Sequence, residues 1–113
     1  MKKTNRLSQK SCVPCPGNFP PLRGTSVESL MSEISGWSVE NEHHLTKTFE
    51  FSNFKKALYF VNCVGDIAER EGHHPDLFLS RGKVTVTLWT HKINGLSESD
   101  FILAAKCDGV YQK

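Results

Sequence analysis

Apolar and polar residues alternate along this chain in two periods, 3.6 and 2, and the switches between them outline the fold. Val27, Leu30, Met31 and Ile34 fall at i, i+3, i+4 and i+7, the stripe of a first helix. Thr25 and Glu28 have the spacing of a capping box at its start, and Gly36 marks its end. The period then becomes 2. Trp37 and Val39 predict a short strand, Asn41-Glu42 a turn, and Leu45, Lys47, Phe49 and Phe51 one face of a second strand. A second helix follows, capped by Ser52 or Asn53, with Phe54, Ala57, Leu58, Val61, Gly65 and Ala68 as its buried stripe and Gly72 just past its end. Leu77 to Leu79 predicts a third strand and Arg81-Gly82 a tight hairpin turn. Lys83 to His91 predicts a fourth strand, with Val84, Val86 and Leu88 on one face and Thr85, Thr87, Trp89 and His91 on the other. A last helix begins near Ser97, with Ile102, Leu103 and Cys107 as core positions.

The order αββαββα with two hairpins predicts an α+β fold, a four-stranded antiparallel sheet with three helices on one face. Residues 11–24 hold Pro14, Pro16, Gly17, Pro20, Pro21 and Gly24, which predicts an irregular N-terminal arm over 1–24 and a single domain over 25–113. With 113 residues there is room for one modest core, so self-association is a natural supplement. A formal net charge of +2 is too mild to indicate direct nucleic-acid binding, and no apolar run approaches a membrane span. Lys2, Lys3, Arg6, Lys10 and Arg23 precede the first acid, Glu28. A solvated basic arm is the favoured reading, with organelle import left open. Without a secretory signal the four cysteines are expected as free thiols. Cys12-Val13-Pro14-Cys15 has the spacing of half a zinc site or a redox pair, but the other half is missing.

Chemistry concentrates in the histidines. His73 and His74 follow a helix end, where the partial negative charge of the helix favours an imidazolium. Pro75 pushes His74 toward an extended conformation, so the two rings should diverge. His91 ends the fourth strand, and a hairpin between the third and fourth strands would return the chain toward that helix end. Imidazoles titrate near neutrality and suit general acid–base work. A zinc site built from these three is a minor reading, since an adjacent pair does not put both rings on one face. His43-His44, with no helix end before it and no proline after it, reads as surface. Asp100 lies three residues after Ser97; it can close a capping box, orient a histidine, or both.

Three separated runs resemble the signature of the pterin-4a-carbinolamine dehydratases: Glu69-Arg70-Glu71-Gly72-His73-His74-Pro75, Leu88-Trp89-Thr90-His91, and Gly95-Leu96-Ser97-Glu98-Ser99-Asp100. The Phe49-x-Phe51 strand and the Asn53-Phe54 helix start are similar to family features, and Cys12-x-x-Cys15 with Pro20-Pro21-Leu22 resembles the arm of many microbial members. The resemblance covers about residues 9 to 108. It implies dehydration of 4a-hydroxytetrahydropterin to quinonoid dihydropterin, recycling tetrahydrobiopterin, with no metal or organic cofactor. It implies His73 and His91 as acid/base groups, His74 as the residue that binds and positions the pterin, and Glu69, Pro75, Thr90 and Asp100 as neighbours of that pocket. It also implies a homodimer or homotetramer in the cytoplasm, with nuclear or organellar location open. The alternative carried by the same resemblance is a binding module, the dimerisation cofactor of a transcription factor. One departure is visible: animal members carry a tryptophan two residues after the motif proline, where this chain has Leu77.

Overall fold

A computed structural model describes residues 7–13, 17 and 20–112. Its elements are α1 (Thr25–Met31), β1 (Ser38–Glu40), β2 (His44–Glu50), α2 (Phe54–Glu71), β3 (Asp76–Ser80), β4 (Lys83–Leu88) and α3 (Glu98–Val110), with short 3-10 turns at Leu7–Gln9 and His91–Ile93. The strands form one antiparallel sheet in the order β1-β2-β4-β3. The αββαββα order and the α+β class are those expected.

Strand alternation separates the two faces of the sheet. Leu45, Phe49, Val84, Val86 and Leu88 point into the core beneath the helices. Thr48 and Thr85 meet on the other face, their hydroxyls 2.8 Å apart. Both hairpin turns use left-handed backbone: Asn41 and Glu42 at φ 54° and 53°, and Arg81 at 52°.

Helix α2 starts as expected, with Asn53 Oδ1 accepting the Lys56 N–H at 2.8 Å. Its buried stripe keeps the expected Ala57 and Ala68 and is otherwise rotated. Ala57, Phe60, Val64, Ile67 and Ala68 face the core, whereas Phe54 and Leu58 are 52% and 40% exposed. Apolar residues cover about half of the circumference of this helix, so more than one stripe fits the same period. Packing selects the one that carries Phe60, whose ring lies 4.6 Å from Phe49, 5.2 Å from Phe51 and 5.9 Å from Tyr111. Burying one such phenyl ring stabilises the fold by roughly 1.5–3 kcal/mol.

Helix α1 starts at Thr25 as expected but differs in its cap and its far end. Gly24 occupies the N-cap and no side chain caps it, so the Thr25–Glu28 capping box is absent. Gly24 donates its N–H to Glu42 Oε2 at 2.7 Å instead, which ties the helix start to the β1–β2 turn. The helix closes at Met31 rather than reaching Gly36, because Glu33 N–H→Leu30 O and Ile34 N–H→Met31 O tighten the chain into i→i+3 turns.

The described residues of the arm are docked on the domain. Leu7 is buried in the core, Lys106 Nζ donates to Ser8 O at 2.8 Å, and Leu22 N–H donates to Leu96 O at 2.8 Å. The Leu7–Gln9 turn, the other two helices and β4 together bury α3 from Ser99 to Ala105. No helix among the described residues is long and apolar enough to cross a membrane.

Candidate active site

The end of α2 and the segment after β4 converge on one open cavity of about 290 Å³, lined by Gly72, His73, His74, Trp89, Thr90, His91 and Lys92. This volume lies at the lower end of small-molecule sites, roughly 300–1,000 Å³. Gly72 makes the corner. At φ 67° it adopts the left-handed conformation that ends α2, which costs a side chain with a Cβ about 1–2 kcal/mol. His73 N–H then donates to Ala68 O at 3.2 Å, fixing the first histidine against the last helical turn.

The two adjacent rings diverge as Pro75 requires, and each meets its own carboxylate. His73 Nε2–H donates to Asp100 Oδ1 at 2.6 Å. His74 Nε2–H donates to Glu69 Oε2 at 2.5 Å on the exposed side of α2. Asp100 is fully buried, and its other oxygen, Oδ2, accepts the Ser97 N–H at 2.9 Å and the Thr90 hydroxyl at 2.7 Å. Ser97 Oγ donates in turn to Thr90 Oγ1 at 2.7 Å. The two readings of Asp100 are thus both realised, one on each oxygen: helix cap on Oδ2, histidine partner on Oδ1. With Nε2 of His73 committed to the carboxylate, Nδ1 is the ring nitrogen left for exchange with a ligand.

His91 lies outside the strand it was expected to end. Strand β4 stops at Leu88, because its partner β2 begins at His44 and pairs no further than Leu45↔Leu88. Thr90 bridges back to Gly95 (Thr90 N–H→Gly95 O 2.7 Å), and His91 opens the 3-10 turn between them. The loop is held from beneath by the arm: a Cβ on Gly95 would stand 2.5 Å from Pro21 Cβ, so only glycine fits there. The imidazole of His91 stacks on Trp89, ring centroids 3.9 Å apart and planes 23° from parallel.

The structure therefore gathers His73, His74, Thr90 and His91 around one cavity, with Asp100 behind His73 and Glu69 behind His74. Pro75 does not line the cavity; it shapes the backbone that does. Leu77, at the position where animal members have tryptophan, packs on the core. Trp89 and Lys92 line the cavity and Ser97 bonds Thr90 and Asp100 behind it, and none of the three was among the expected site residues. Trp89 was accessible from the sequence, two residues from His91 in a period-2 run. His43 and His44, expected at the surface, stand half-exposed there, and His43 packs 4.5 Å from Trp89. Among the described residues no group of three or more His, Cys, Asp or Glu is placed to hold a metal ion. Cys15 lies outside the described residues, so the Cys12-x-x-Cys15 pairing does too.

Comparison with known proteins adds a family. A family model described as pterin 4 alpha carbinolamine dehydratase matches residues 20–110. A Rubrobacter xylanophilus protein provisionally named a pterin-4-alpha-carbinolamine dehydratase is 51% identical over 104 residues, 92% of this chain and 97% of its own length. An Alkaliphilus metalliredigens protein with the same provisional name is 52% identical over 105 residues, 92% of this chain and 95% of its own. A crystal structure from Brucella melitensis, described as a transcriptional coactivator/pterin dehydratase, superposes with a TM-score of 0.74 at 31% identity, over 79% of this chain and 96% of that one.

Proposed function

Because the chain belongs to the pterin-4a-carbinolamine dehydratase family, we propose that it dehydrates 4a-hydroxytetrahydropterin to quinonoid dihydropterin by histidine acid–base catalysis. The observation that carries this reading is the convergence of His73, His74 and His91 on one cavity, with buried Asp100 bonded to His73.

The reaction asks for two proton transfers. The C4a–O bond breaks, and the departing hydroxide takes a proton from one imidazole to leave as water. A second imidazole removes the proton of a pterin ring nitrogen, whose electron pair forms the new C=N bond. Electron push from that nitrogen already weakens the C–O bond, so placed acid–base groups suffice. His73 and His91 are the acid/base pair. Asp100 fixes the tautomer and orientation of His73 and offsets charge that develops on the ring, as a buried carboxylate does behind a general-base histidine. His74, on the open side of the cavity with Glu69, positions the pterin. Thr90 serves through its hydroxyl, which bridges Asp100 and Ser97. The donor and acceptor edges of a pterin suit a cavity with both imidazoles and ring walls.

The same reading gives a cytoplasmic homodimer or homotetramer that serves tetrahydrobiopterin recycling. A second reading, a dimerisation cofactor for a transcription factor, has one observation behind it: the Brucella melitensis relative is described as a transcriptional coactivator as well as a pterin dehydratase. The purified protein should accelerate decay of chemically generated 4a-hydroxytetrahydropterin, followed by absorbance, and a chelator should leave the rate unchanged. Decay no faster than in buffer would remove the enzyme reading and leave the cofactor one.

A further inference from the structure

His91 differs from its two partner histidines in how it is held. His73 and His74 each rest on a carboxylate. Among the described residues, the ring of His91 has no such partner; it is exposed and stands on a one-turn segment outside the sheet. Its one ring contact is the stack on Trp89. An imidazole with that freedom samples several rotamers, and only some of them place a ring nitrogen at a ligand in the cavity.

Two supports of His91 meet at His43. The His43 ring packs on Trp89, centroids 4.5 Å apart and planes 41° from parallel. Its Nε2–H donates to Asn94 Oδ1 at 2.9 Å. Asn94, at φ 51°, closes the turn that carries His91 by donating its N–H to His91 O at 3.2 Å. One side chain thus touches both the plate under the His91 ring and the turn under its backbone. His43 is itself fixed: its N–H donates to Glu40 O at 2.8 Å in the left-handed β1–β2 turn. With Nε2–H given to Asn94, His43 meets His44 through its other ring nitrogen, the two Nδ1 atoms 3.1 Å apart.

We infer that His43 is a positioning residue for the dehydration, setting the His91 imidazole through Trp89 and Asn94; the inference rests on the acid/base reading of His91. A ring stack of this kind biases rotamer populations by roughly two- to tenfold, which sets the scale of the effect on rate. His43 sits in a half-exposed turn outside the core, so His43→Ala should still fold, which its far-UV circular dichroism checks.

The test pairs kinetics with proton NMR of the His91 ring, whose Cε1–H should be shifted upfield by the ring current of the stacked Trp89 indole. His43→Ala should lower kcat about two- to tenfold with KM within about twofold, and should move the His91 resonance toward that of a free imidazole. His43→Phe, which keeps a ring on Trp89 and loses the Asn94 bond, should restore the resonance and most of kcat. An unmoved His91 resonance in His43→Ala overturns the inference whatever the rate does. A moved resonance with unchanged kcat overturns the positioning role. His91→Ala locates the error: if it too leaves the rate unchanged, the acid/base reading of His91 has failed instead.

Discussion

Both oxygens of Asp100 are engaged, and by different parts of the chain. That division makes the residue hard to replace. An asparagine there must turn its amide one way or the other. If NH2 faces His73, the ring must move its proton to Nδ1 and accept at Nε2, the wrong tautomer; if it faces the Ser97 N–H, donor meets donor in a fully buried site. Asp100→Asn should therefore lower kcat by roughly 10²- to 10⁴-fold and also cost about 1–3 kcal/mol of stability. Steady-state kinetics and urea unfolding read the two losses separately. Much of this scale was legible in the sequence: the Ser97-x-x-Asp100 spacing gave the cap, and Pro75 gave the divergence of His73 from His74. The contacts of His43 were not legible, because its partners, Trp89 and Asn94, are brought to it by sheet closure and no local pattern encodes them.

At the scale of elements, periodicity located every helix and strand but not always their ends or faces. The stripe of α2 was decided by the aromatic cluster that receives Phe60, which is tertiary information. The end of β4 was decided by the length of its partner strand. The junction of arm, α2 and α3 was invisible in the sequence, and Glu71 is its centre. Its side chain is 9% exposed; Oε1 accepts the Cys12 N–H at 2.8 Å, and Oε2 lies 3.7 Å from Lys106 Nζ. The hydrogen bond from Cys12, then the Lys106 charge, hold its carboxyl below the usual range against the opposing effect of burial. A carboxyl lowered in the folded state adds stability above its unfolded pKa, and that stability is lost as pH falls through the folded value. Glu71→Gln should thus reduce stability at neutral pH and flatten the acid limb of a stability–pH curve below about pH 5. An unchanged limb in thermal melts would place the acid sensitivity elsewhere.

The whole molecule is organised around α3, which almost no sequence pattern could show. Its face away from the sheet is covered by the arm, through Leu7 in the core and through the Val13 N–H→Ser99 Oγ bond at 3.1 Å. A lone leucine in a polar segment gives no periodic signal, so the arm read as irregular. Enclosure leaves a chemical trace in the cysteines. Burial, and next the Asp108 charge, push the Cys107 thiol up to about 12; burial, and next the Glu71 charge, push Cys12 to about 11. A raised folded value means the folded chain keeps its proton while the unfolded chain ionises. That contribution is complete below the unfolded pKa of about 8.5 and is lost as pH rises toward the folded values. Stability should fall from about pH 9 upward, and Cys107→Ala should make that decline shallower in urea titrations.

The central claim is that His73 and His91 share the proton transfers of one dehydration in one cavity. Stopped-flow rates for chemically generated 4a-hydroxytetrahydropterin, with wild type, His73→Ala, His91→Ala and the double variant, test it most directly. The account predicts that each single substitution removes roughly 10²- to 10⁴-fold of the acceleration, and that the double variant falls little further, as expected of groups that act as a unit. Single variants that keep the wild-type rate would contradict it.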